Sequence, residues 1–435
     1  MPSNKSQPIT RVESLAILVA SGFGALSALA ATWLANRYLA PSEVTEFLLI
    51  WALIFALFSI VAGVQTEATR GVANVQIHSA QPKSHALAAP LVVGAAAALF
   101  IGLTYSLWGP HSRIPILVIA IGIGLYTPHY GLVGALAGFE RWYLFSALNG
   151  GEALIRLSSL AVAGLVFGSL FSFELAILAP VALWWLALGM MSRQGREALW
   201  ARTDVPVPRS LRNSLFAMGS STAAAILMNG FPLILSASET PSRGSTTYLV
   251  MGALILAVSI CRSPIMIPLQ AFNGVAIAAF LRHKDTPLRA FTKPAIAVLG
   301  VGTLGGIAAA LLGPWLFLLI YPPKPSAEHA YVQVAQPAVL GMLTFASAFM
   351  ALLTLSGSMV LALNAHRGFL AGWAIGAVGT VAVLFVAPLP LIARVIFALI
   401  LGPAIGCGTH LSWIAIVTRK SRPLSPEMPG PPSQG

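Results

Sequence analysis

The sequence predicts an all-α integral membrane protein in which about 12 transmembrane helices form two six-helix lobes around a central cavity. The first supporting observation is composition. Of the 435 residues only 9% are charged and 57% are hydrophobic, whereas soluble domains carry roughly 25% charged residues. Such a chain has too few polar side chains to cover water-exposed domains, so a soluble enzyme is excluded. The other two observations are apolar stretches of helical length and an uneven distribution of basic residues between alternate loops.

Apolar stretches long enough to cross a bilayer recur along the whole chain, because about 20 apolar residues suffice for one crossing. The predicted stretches are residues 15–37, 47–69, 87–108, 114–137, 142–168, 173–191, 213–236, 248–269, 294–320, 338–362, 369–387 and 391–417. They leave only short connections, so no large extramembrane domain is expected. The first stretch is too long for a signal peptide and has no small-residue cleavage site, so we expect it to remain as a helix.

Basic residues are concentrated in every second loop. The loops on the side of both termini contain 18 Lys and Arg residues, and the alternate loops contain 5, namely Arg37, Arg113, Arg243, Lys324 and Arg394. By the positive-inside rule, both termini are expected in the cytoplasm of a plasma-membrane protein. The net charge of +12 is then explained by topology and by contacts with membrane lipids. We expect no nucleic-acid partner, which would require a soluble basic face with exposed aromatic residues.

The longest cytoplasmic loop divides the chain into two halves of six stretches. The tripeptide Ala40-Pro41-Ser42 before the second stretch recurs as Thr240-Pro241-Ser242 before the eighth, which indicates an internal repeat. Because each half has an even number of crossings, the two repeats are parallel. The expected organisation is an N-terminal lobe at 1–191, a cytoplasmic linker at 192–212, a C-terminal lobe at 213–417 and a disordered cytoplasmic tail at 418–435.

The fifth stretch carries a polar stripe. Asn149, Glu152, Arg156 and Ser159 have helical spacing, so they fall on one face of an otherwise apolar helix. Ionisable groups in the hydrocarbon cost on the order of 2.5 to 3.5 kcal/mol each and need a partner or a wet cavity. Glu152 and Arg156 are i,i+4 neighbours, which is typical of a structural ion pair. The alternative interpretation is that the stripe lines a substrate cavity, and the two interpretations are compatible.

The eighth stretch contains a second polar group that is interrupted by prolines. Its members fall near one face of the helix: Ser259, Arg262, Ser263, Gln270 and Asn273. Arg262 has no acidic residue within one turn, so its counter-charge must come from another helix, a lipid headgroup or a substrate. The alternatives for Arg262 are therefore snorkelling toward the headgroups and substrate binding. As candidate substrate-binding residues we take Ser259, Arg262, Gln270 and Asn273 with Asn149, Glu152, Arg156 and Ser159.

No pattern for catalysis or metal binding is present. Cys261 and Cys407 lack metal-ligand spacing, and the nucleotide-binding, zinc-protease and serine-hydrolase motifs are missing. We therefore expect no catalytic residues, no cofactor and no metal, and the protein is predicted not to be an enzyme. Glu67 and Glu152 are the only acids that we expect to be embedded, and they are candidates for proton or sodium coupling, although headgroup contact also explains Glu67.

Short patterns in both halves resemble the multidrug/oligosaccharidyl-lipid/polysaccharide (MOP) exporter superfamily and, within it, the polysaccharide flippase-like branch. They are Ala35-Asn36-Arg37-Tyr38-Leu39-Ala40-Pro41-Ser42-Glu43 leading to Phe47, Ala137-Gly138-Phe139-Glu140-Arg141-Trp142, Arg212-Asn213-Ser214-Leu215, and Leu363-Asn364-Ala365-His366-Arg367. The resemblance covers most of the chain. The sequence departs from the fourteen-helix peptidoglycan-precursor branch of the superfamily by having twelve apolar stretches. It departs from many drug/cation antiporters of the superfamily by lacking an embedded Asp.

The resemblance implies an alternating-access bundle that moves a polyprenyl-(pyro)phosphate-linked oligosaccharide or polysaccharide precursor across a bacterial plasma membrane. Arg156 and Arg262 are then expected at the diphosphate, with Asn149, Glu152 and Ser159 along the path of the sugars. Other cell-envelope synthesis proteins are candidate partners.

Other functions remain open from the sequence. The runner-up is an ion-coupled exporter of multiple drugs or small amphipaths from the same superfamily. A third hypothesis is a membrane-embedded glycosyl- or acyltransferase that uses Glu43 and Glu46 of the first outer loop as acids, although the outer loops are short for an acceptor site. A fourth is a scaffold that docks partners through the tail at 423–435.

Overall fold

Helices occupy almost all of the described chain. The computed structural model describes residues 10–77, 80–104, 113–271, 276–277, 280, 286–363 and 365–420. The first half contains α1 (Arg11–Tyr38), α2 (Pro41–Val61), α3 (Gly63–Ile77), α4 (Ala88–Leu103), α5 (Arg113–Gly138), α6 (Trp142–Val162) and α7 (Leu170–Met191). A short α8 (Arg193–Leu199) precedes the second half. The second half contains α9 (Val207–Met228), α10 (Phe231–Glu239), α11 (Thr246–Ala271), α12 (Pro287–Ile320), α13 (Glu328–Val334), α14 (Pro337–Ala362), α15 (His366–Val386) and α16 (Leu391–Lys420).

The apolar helices confirm the predicted all-α membrane fold with two lobes. In the described part of the chain, 9 helices are long and apolar enough to cross a membrane, or 10 if α9 and α10, which are bent by 62°, form one broken span. α2 and α3 together make one such span, at Pro41–Gln76. A helix also coincides with the two remaining predicted stretches, as α4 and α7. The protein is therefore a multi-pass membrane protein.

Local sequence explains where the helices begin and bend. Thr10 and Glu13 form a capping box at the start of α1, since each side chain accepts a hydrogen bond from the backbone of the other. Proline stands in the first turn of α2 and of α14, where the missing N–H costs nothing. Between α5 and α6 the chain turns at Glu140, whose φ of 58° lies in the left-handed region.

Small residues bring helices together within the C-terminal half. α15 and α16 cross at glycines, where a Cβ on Gly406 would lie only 2.6 Å from the carbonyl oxygen of Gly372. A Cβ on Gly402 would similarly approach the carbonyl oxygen of Gly376 to 2.8 Å. Close approach of this kind replaces the hydrophobic driving force that lipid does not supply between helices.

The two halves meet along a continuous apolar core. The largest buried cluster contains Phe47 and Phe173 of the first half together with Leu254 and Phe317 of the second. We call the end of the bundle at which α1 ends and α2 begins the distal end, and the opposite end the proximal end. The basic residues predict that the distal end faces the outside.

Hydrogen bonds join the halves at the distal end. The hydroxyl of Tyr321 lies 2.9 Å from Oγ1 of Thr32, and the hydroxyl of Tyr331 donates to Oδ1 of Asn36 over 2.6 Å. Nζ of Lys324 donates to the carbonyl oxygen of Leu39, which has no helical partner because α1 ends there. The bundle is therefore closed at this end along α1.

The predicted linker is ordered and attached to the first half. It contains α8 and a short strand β2 (Arg202–Thr203), which pairs antiparallel with β1 (Ser84–His85). α9 already begins at Val207, within the range 192–212 that was assigned to the linker. Asp204, next to β2, accepts hydrogen bonds from Arg70 and Asn74 of α3.

Candidate functional site

A cavity lies between the two halves near the middle of the bundle. Its volume is about 480 Å³, and it is lined by α1 and α2 on one side and by the α9–α10 break, α11 and α14 on the other. Most lining side chains are apolar. The polar ones are Thr32, Ser59, Asn229, Ser259, Arg262, Ser263 and Gln270. Among the described residues, no carboxylate lines this cavity.

The guanidinium of Arg262 is anchored to a helix end on the cavity wall. Nη1 donates to the carbonyl oxygen of Met228 over 3.0 Å. That oxygen is free because α9 ends at Met228 and because Pro232, four residues on, has no N–H to donate. Within the described chain, Arg262 has no acidic partner. The remaining donors of this half-buried side chain are thus available for an anion.

The serines of the predicted α11 group are satisfied within their own helix. Ser259 donates to the carbonyl oxygen of Ile255 and Ser263 to that of Ser259. Gln270 lines the cavity and is exposed, while the predicted residue Asn273 lies outside the described residues. The structure therefore brings Ser259, Arg262 and Gln270 together on one wall.

Two polar residues that sequence reasoning missed join the halves at the cavity. Asn229, at the end of α9, donates through Nδ2 to the Oγ atom of Ser59 on α2 over 2.8 Å. The helix break at Asn229-Gly230-Phe231-Pro232 is a signal that could have identified Asn229 from the sequence. Next to Ser59, the stacked rings of Trp51 and Phe55, with centroids 4.4 Å apart, form an aromatic wall.

Glu152 and Arg156 form a buried ion pair in the N-terminal half. Nη1 of Arg156 lies 2.6 Å from Oε1 of Glu152, and each residue is no more than 6% exposed. The hydroxyl of Tyr126 on α5 donates to the same carboxylate at 3.1 to 3.2 Å. His129, which is fully buried, places Nε2 3.5 Å from Oε2 of Glu152. The carboxylate is thus surrounded by an arginine, a tyrosine and a histidine.

This ion-pair cluster does not line the cavity. The guanidinium of Arg156 stands 5.1 Å from the ring centroid of Phe55, whose side chain lines the cavity and therefore separates the two regions. Asn149 bonds to the carbonyl oxygen of Phe145 in its own helix, and Ser159 is half-buried away from the cavity wall. The structure thus keeps the predicted stripe on α6 apart from the predicted group on α11.

Glu67 belongs to a polar cluster that connects the halves at the proximal end. Its carboxylate accepts hydrogen bonds from Arg70 at 2.7 and 2.9 Å and from Nδ2 of Asn213 on α9 at 3.1 Å. Arg70 also binds Asp204 at 3.1 Å. Burial alone raises the pKa of Asp204, but hydrogen bonds from Arg70 and Asn74 and the charge of Arg70 outweigh this and lower it.

Glu67 and Glu152 are not the only embedded acids, which corrects the sequence analysis. Glu46 of α2 and Glu174 of α7 are 7% and 3% exposed. Glu46 is bound by Arg243 at 2.6 Å, and Glu43 accepts a hydrogen bond from the backbone N–H of Ala40. Glu174 stands alone in an apolar run, and that isolation was a signal that sequence reasoning overlooked.

The chain is similar in sequence to mycobacterial proteins, although no protein-family model matches it. It is 30% identical over 417 residues to the uncharacterized protein Rv1510 of Mycobacterium tuberculosis, covering 94% of this chain and 93% of the relative. It is also 30% identical over 406 residues to the uncharacterized protein Mb3654 of Mycobacterium bovis, covering 91% and 90%.

Solved structures share the fold. An inward-facing multidrug resistance MATE family transporter of the MOP superfamily matches with a TM-score of 0.66 at 12% identity, over 94% of this chain and 99% of that chain. A MOP superfamily transporter from Pyrococcus furiosus, described as having a binding pocket of reverse polarity, matches with a TM-score of 0.64 at 12% identity, over 94% and 95%. The protein therefore has the MATE-like fold, and by sequence it belongs to the family of the mycobacterial proteins Rv1510 and Mb3654.

Proposed function

We propose that this protein is an alternating-access transporter of the MOP superfamily that moves a polyprenyl-(pyro)phosphate-linked oligosaccharide or polysaccharide precursor across the membrane. The observation that carries the proposal is Arg262, a guanidinium on the wall of the interlobe cavity whose protein partner is a backbone carbonyl. The MATE-like fold supports transport, and the mycobacterial relatives support a bacterial plasma membrane.

The chemistry of the cavity fits an anionic headgroup. A guanidinium binds phosphate oxygens through two parallel N–H donors, and this interaction strengthens away from bulk water. Because no carboxylate lines the cavity among the described residues, an anion there meets no repulsion from a like charge. The polar groups of Ser59, Asn229 and Gln270 supply hydrogen-bonding partners for sugar hydroxyls.

The size of the cavity is in the range for a small polar ligand, since binding sites usually measure about 300 to 1,000 Å³. A volume of about 480 Å³ accommodates a diphosphate and its first sugar, while the polyprenyl chain stays in the bilayer. The ion-pair cluster of Glu152 and Arg156 then acts outside the binding cavity, as the embedded group with which proton or sodium coupling would be associated.

A second candidate is an ion-coupled exporter of small amphipaths. The observation in its favour is the similarity to multidrug MATE transporters, together with the aromatic wall of Trp51 and Phe55. Each of the two carboxylates accepts three hydrogen bonds, but Glu152 lies within α6 beside the buried His129, whereas Glu67 lies at the proximal end beside the partly exposed Arg70, so Glu152 suits ion coupling better. This function predicts proton- or sodium-dependent dye efflux that is lost in Glu152→Gln.

Translocation in reconstituted vesicles tests the flippase proposal. A fluorescent polyprenyl-diphosphate glycan in one leaflet should become accessible in the other in the presence of the wild-type protein, and Arg262→Ala should abolish this movement. Arg262→Lys should retain part of the rate, because an ammonium keeps the charge but loses the bidentate geometry. The matched control is Arg37→Ala, which removes an exposed arginine at the distal end and should leave the rate unchanged.

Full translocation by Arg262→Ala would refute the assigned site. Dye efflux by the wild-type protein without glycan translocation would favour the exporter. Native mass spectrometry of the purified protein gives an independent readout, since a copurifying polyprenyl diphosphate should be present with the wild type and absent with Arg262→Ala.

A further inference from the structure

Two buried carboxylates lie on neighbouring helices near the distal end, outside the cavity. Glu46 lies near the start of α2 and Glu174 near the start of α7. Their neighbours Phe47 and Phe173, both fully buried, meet edge to face with ring centroids 5.5 Å apart, and this contact fixes the two helices against each other. The carboxylates are close enough to interact electrostatically.

The surroundings of this pair come from both halves of the protein. Arg243, in the loop before α11, binds Glu46 at 2.6 Å. Oγ1 of Thr45 donates to the carbonyl oxygen of Tyr248 over 3.3 Å. The distal seam, defined by these two contacts, therefore connects α2 of the first half to the start of α11 in the second.

Three polar atoms at the distal seam have no hydrogen-bond partner among the described residues. They are Oε2 of Glu174, Oε2 of Glu46, whose contact with Arg243 is an ion pair, and the hydroxyl of Tyr248, a residue only 4% exposed that lies in the field of Glu46 and Arg243. On α5 and α6, which pack against α7, Tyr126, His129 and Arg156 contact Glu152 instead. Glu174 thus has a negative neighbour and no cation of its own among the side chains that the structure describes.

The balance of charge around Glu46 and Glu174 determines which of the two carboxylates is ionised. If both carboxylates were ionised, two buried negative charges would share one guanidinium that is itself 55% exposed. An ionised carboxylate without a partner is costly to bury, and a like charge beside it adds to that cost, so the neutral acid is favoured. Glu46 has Arg243 as its counter-charge, which leaves Glu174 as the group to be neutralised.

We propose that Glu46 and Glu174 form a proton-binding site at the distal seam, and that Glu174 holds the proton while the two halves are closed there. Opening of the seam separates Arg243 and Tyr248 from α2 and admits water to the carboxylates. A hydrated carboxylate binds a proton less tightly, so opening releases the proton and closure takes one up. By linkage, rising pH shifts the equilibrium toward the distally open form.

Distance measurements on purified protein test this coupling without any transport substrate. Spin labels are placed at Ser42→Cys on α2 and at Ser326→Cys, an exposed distal site of the second half, after replacement of Cys261 and Cys407 by Ala. Pulsed electron paramagnetic resonance between about pH 5 and pH 9 should show the short-distance population giving way to a longer one. The closed-to-open ratio should change by up to about tenfold per pH unit, the limit for one released proton.

Three variants make the assignment specific. Glu174→Gln mimics the protonated acid and should remain closed across the range, whereas Glu174→Asp keeps an ionisable group and should retain a pH response. Glu46→Gln removes the partner of Arg243 and should populate the open form at every pH. The matched control Glu328→Gln removes an exposed carboxylate at the same end and should behave as the wild type does.

Distances independent of pH in the wild-type protein, or an unchanged response in Glu174→Gln, would overturn the proposal. A response to sodium at constant pH, without a response to pH, would show that the ligand is not a proton. Infrared difference spectra between the two pH limits provide a second readout, in which the band of a protonated carboxyl should be present for the wild type and absent for Glu174→Gln. Because no glycan is involved, these outcomes are independent of the proposed transport function.

Discussion

Arg156 of the first half and Arg262 of the second lie within membrane-spanning helices, but their partners differ. Arg156 is paired with Glu152, and Tyr126 and His129 surround the same carboxylate. Among the described residues, Arg262 bonds only to the carbonyl oxygen of Met228, and it borders a cavity. One positive charge is neutralised within the protein, and the other is held in place without a counter-charge among the described residues.

The difference separates two uses of a charge in the membrane. A buried pair is weak evidence for stability by itself, but removal of one partner is strongly destabilising because the other charge is left uncompensated. A charge held by a backbone carbonyl at the edge of a cavity keeps access to water, and its free donors can bind a ligand. The comparison therefore assigns Arg156 to the integrity of the first lobe and Arg262 to binding.

The largest expected effect is on the stability of the first lobe. Glu152→Gln leaves the guanidinium of Arg156 buried without a counter-charge, so the free energy of unfolding should fall by about 3 to 5 kcal/mol. Denaturant unfolding in detergent micelles, followed by tryptophan fluorescence, measures the change. Removal of both charges in Glu152→Gln/Arg156→Met should recover most of the loss, and a double variant as unstable as the single one would contradict this account.

Part of the ion-pair cluster around Glu152 could be predicted from the sequence. The spacing of Glu152 and Arg156 is sufficient to predict their contact, because i,i+4 residues are neighbours on any helix. Tyr126 and His129 approach the same carboxylate from a helix some 25 positions away, and no local pattern indicates which face of α5 meets α6. The fold class could also be predicted, because the length of the apolar stretches and the charges of the loops depend on the bilayer and not on contacts between helices.

The rest of the candidate site depended on contacts between helices. Sequence spacing placed Arg262 on a polar face, but its position beside Met228 requires the break between α9 and α10 to face α11. Glu46 was interpreted as a loop residue, although it is buried against the second half through Arg243. In each case the decisive neighbour is remote in sequence and was fixed by packing between helices, within the second half for Arg262 and between the halves for Glu46.

The second expected effect is on ligand binding at Arg262. Arg262→Ala should leave the free energy of unfolding within about 1 kcal/mol of the wild type, since the freed carbonyl of Met228 borders a cavity and can bind water. The affinity for a labelled polyprenyl diphosphate should fall about 10- to 150-fold, which corresponds to 1.5 to 3 kcal/mol for a charged hydrogen bond. Equilibrium binding and denaturant unfolding on the same preparations check both parts. A large loss of stability with unchanged affinity would reverse the roles assigned to the two arginines.

The smallest expected effect extends the comparison to Arg70, an arginine that is paired and also reachable by water. Its side chain is 40% exposed and that of Asp204 is 17% exposed, so the pair should contribute about 0.2 to 1 kcal/mol, as surface ion pairs do. Because the folded pKa of Asp204 is lowered, this contribution is present above the unfolded pKa of about 3.9 and is lost as pH falls from there through the lower folded pKa. Asp204→Asn should therefore be slightly less stable than the wild type at pH 7, and the difference should be smaller at pH 3 and vanish only below the folded pKa. Denaturant unfolding at both pH values measures it, and a difference of several kcal/mol at pH 7 would mean that water screens Arg70 far less than its exposure implies.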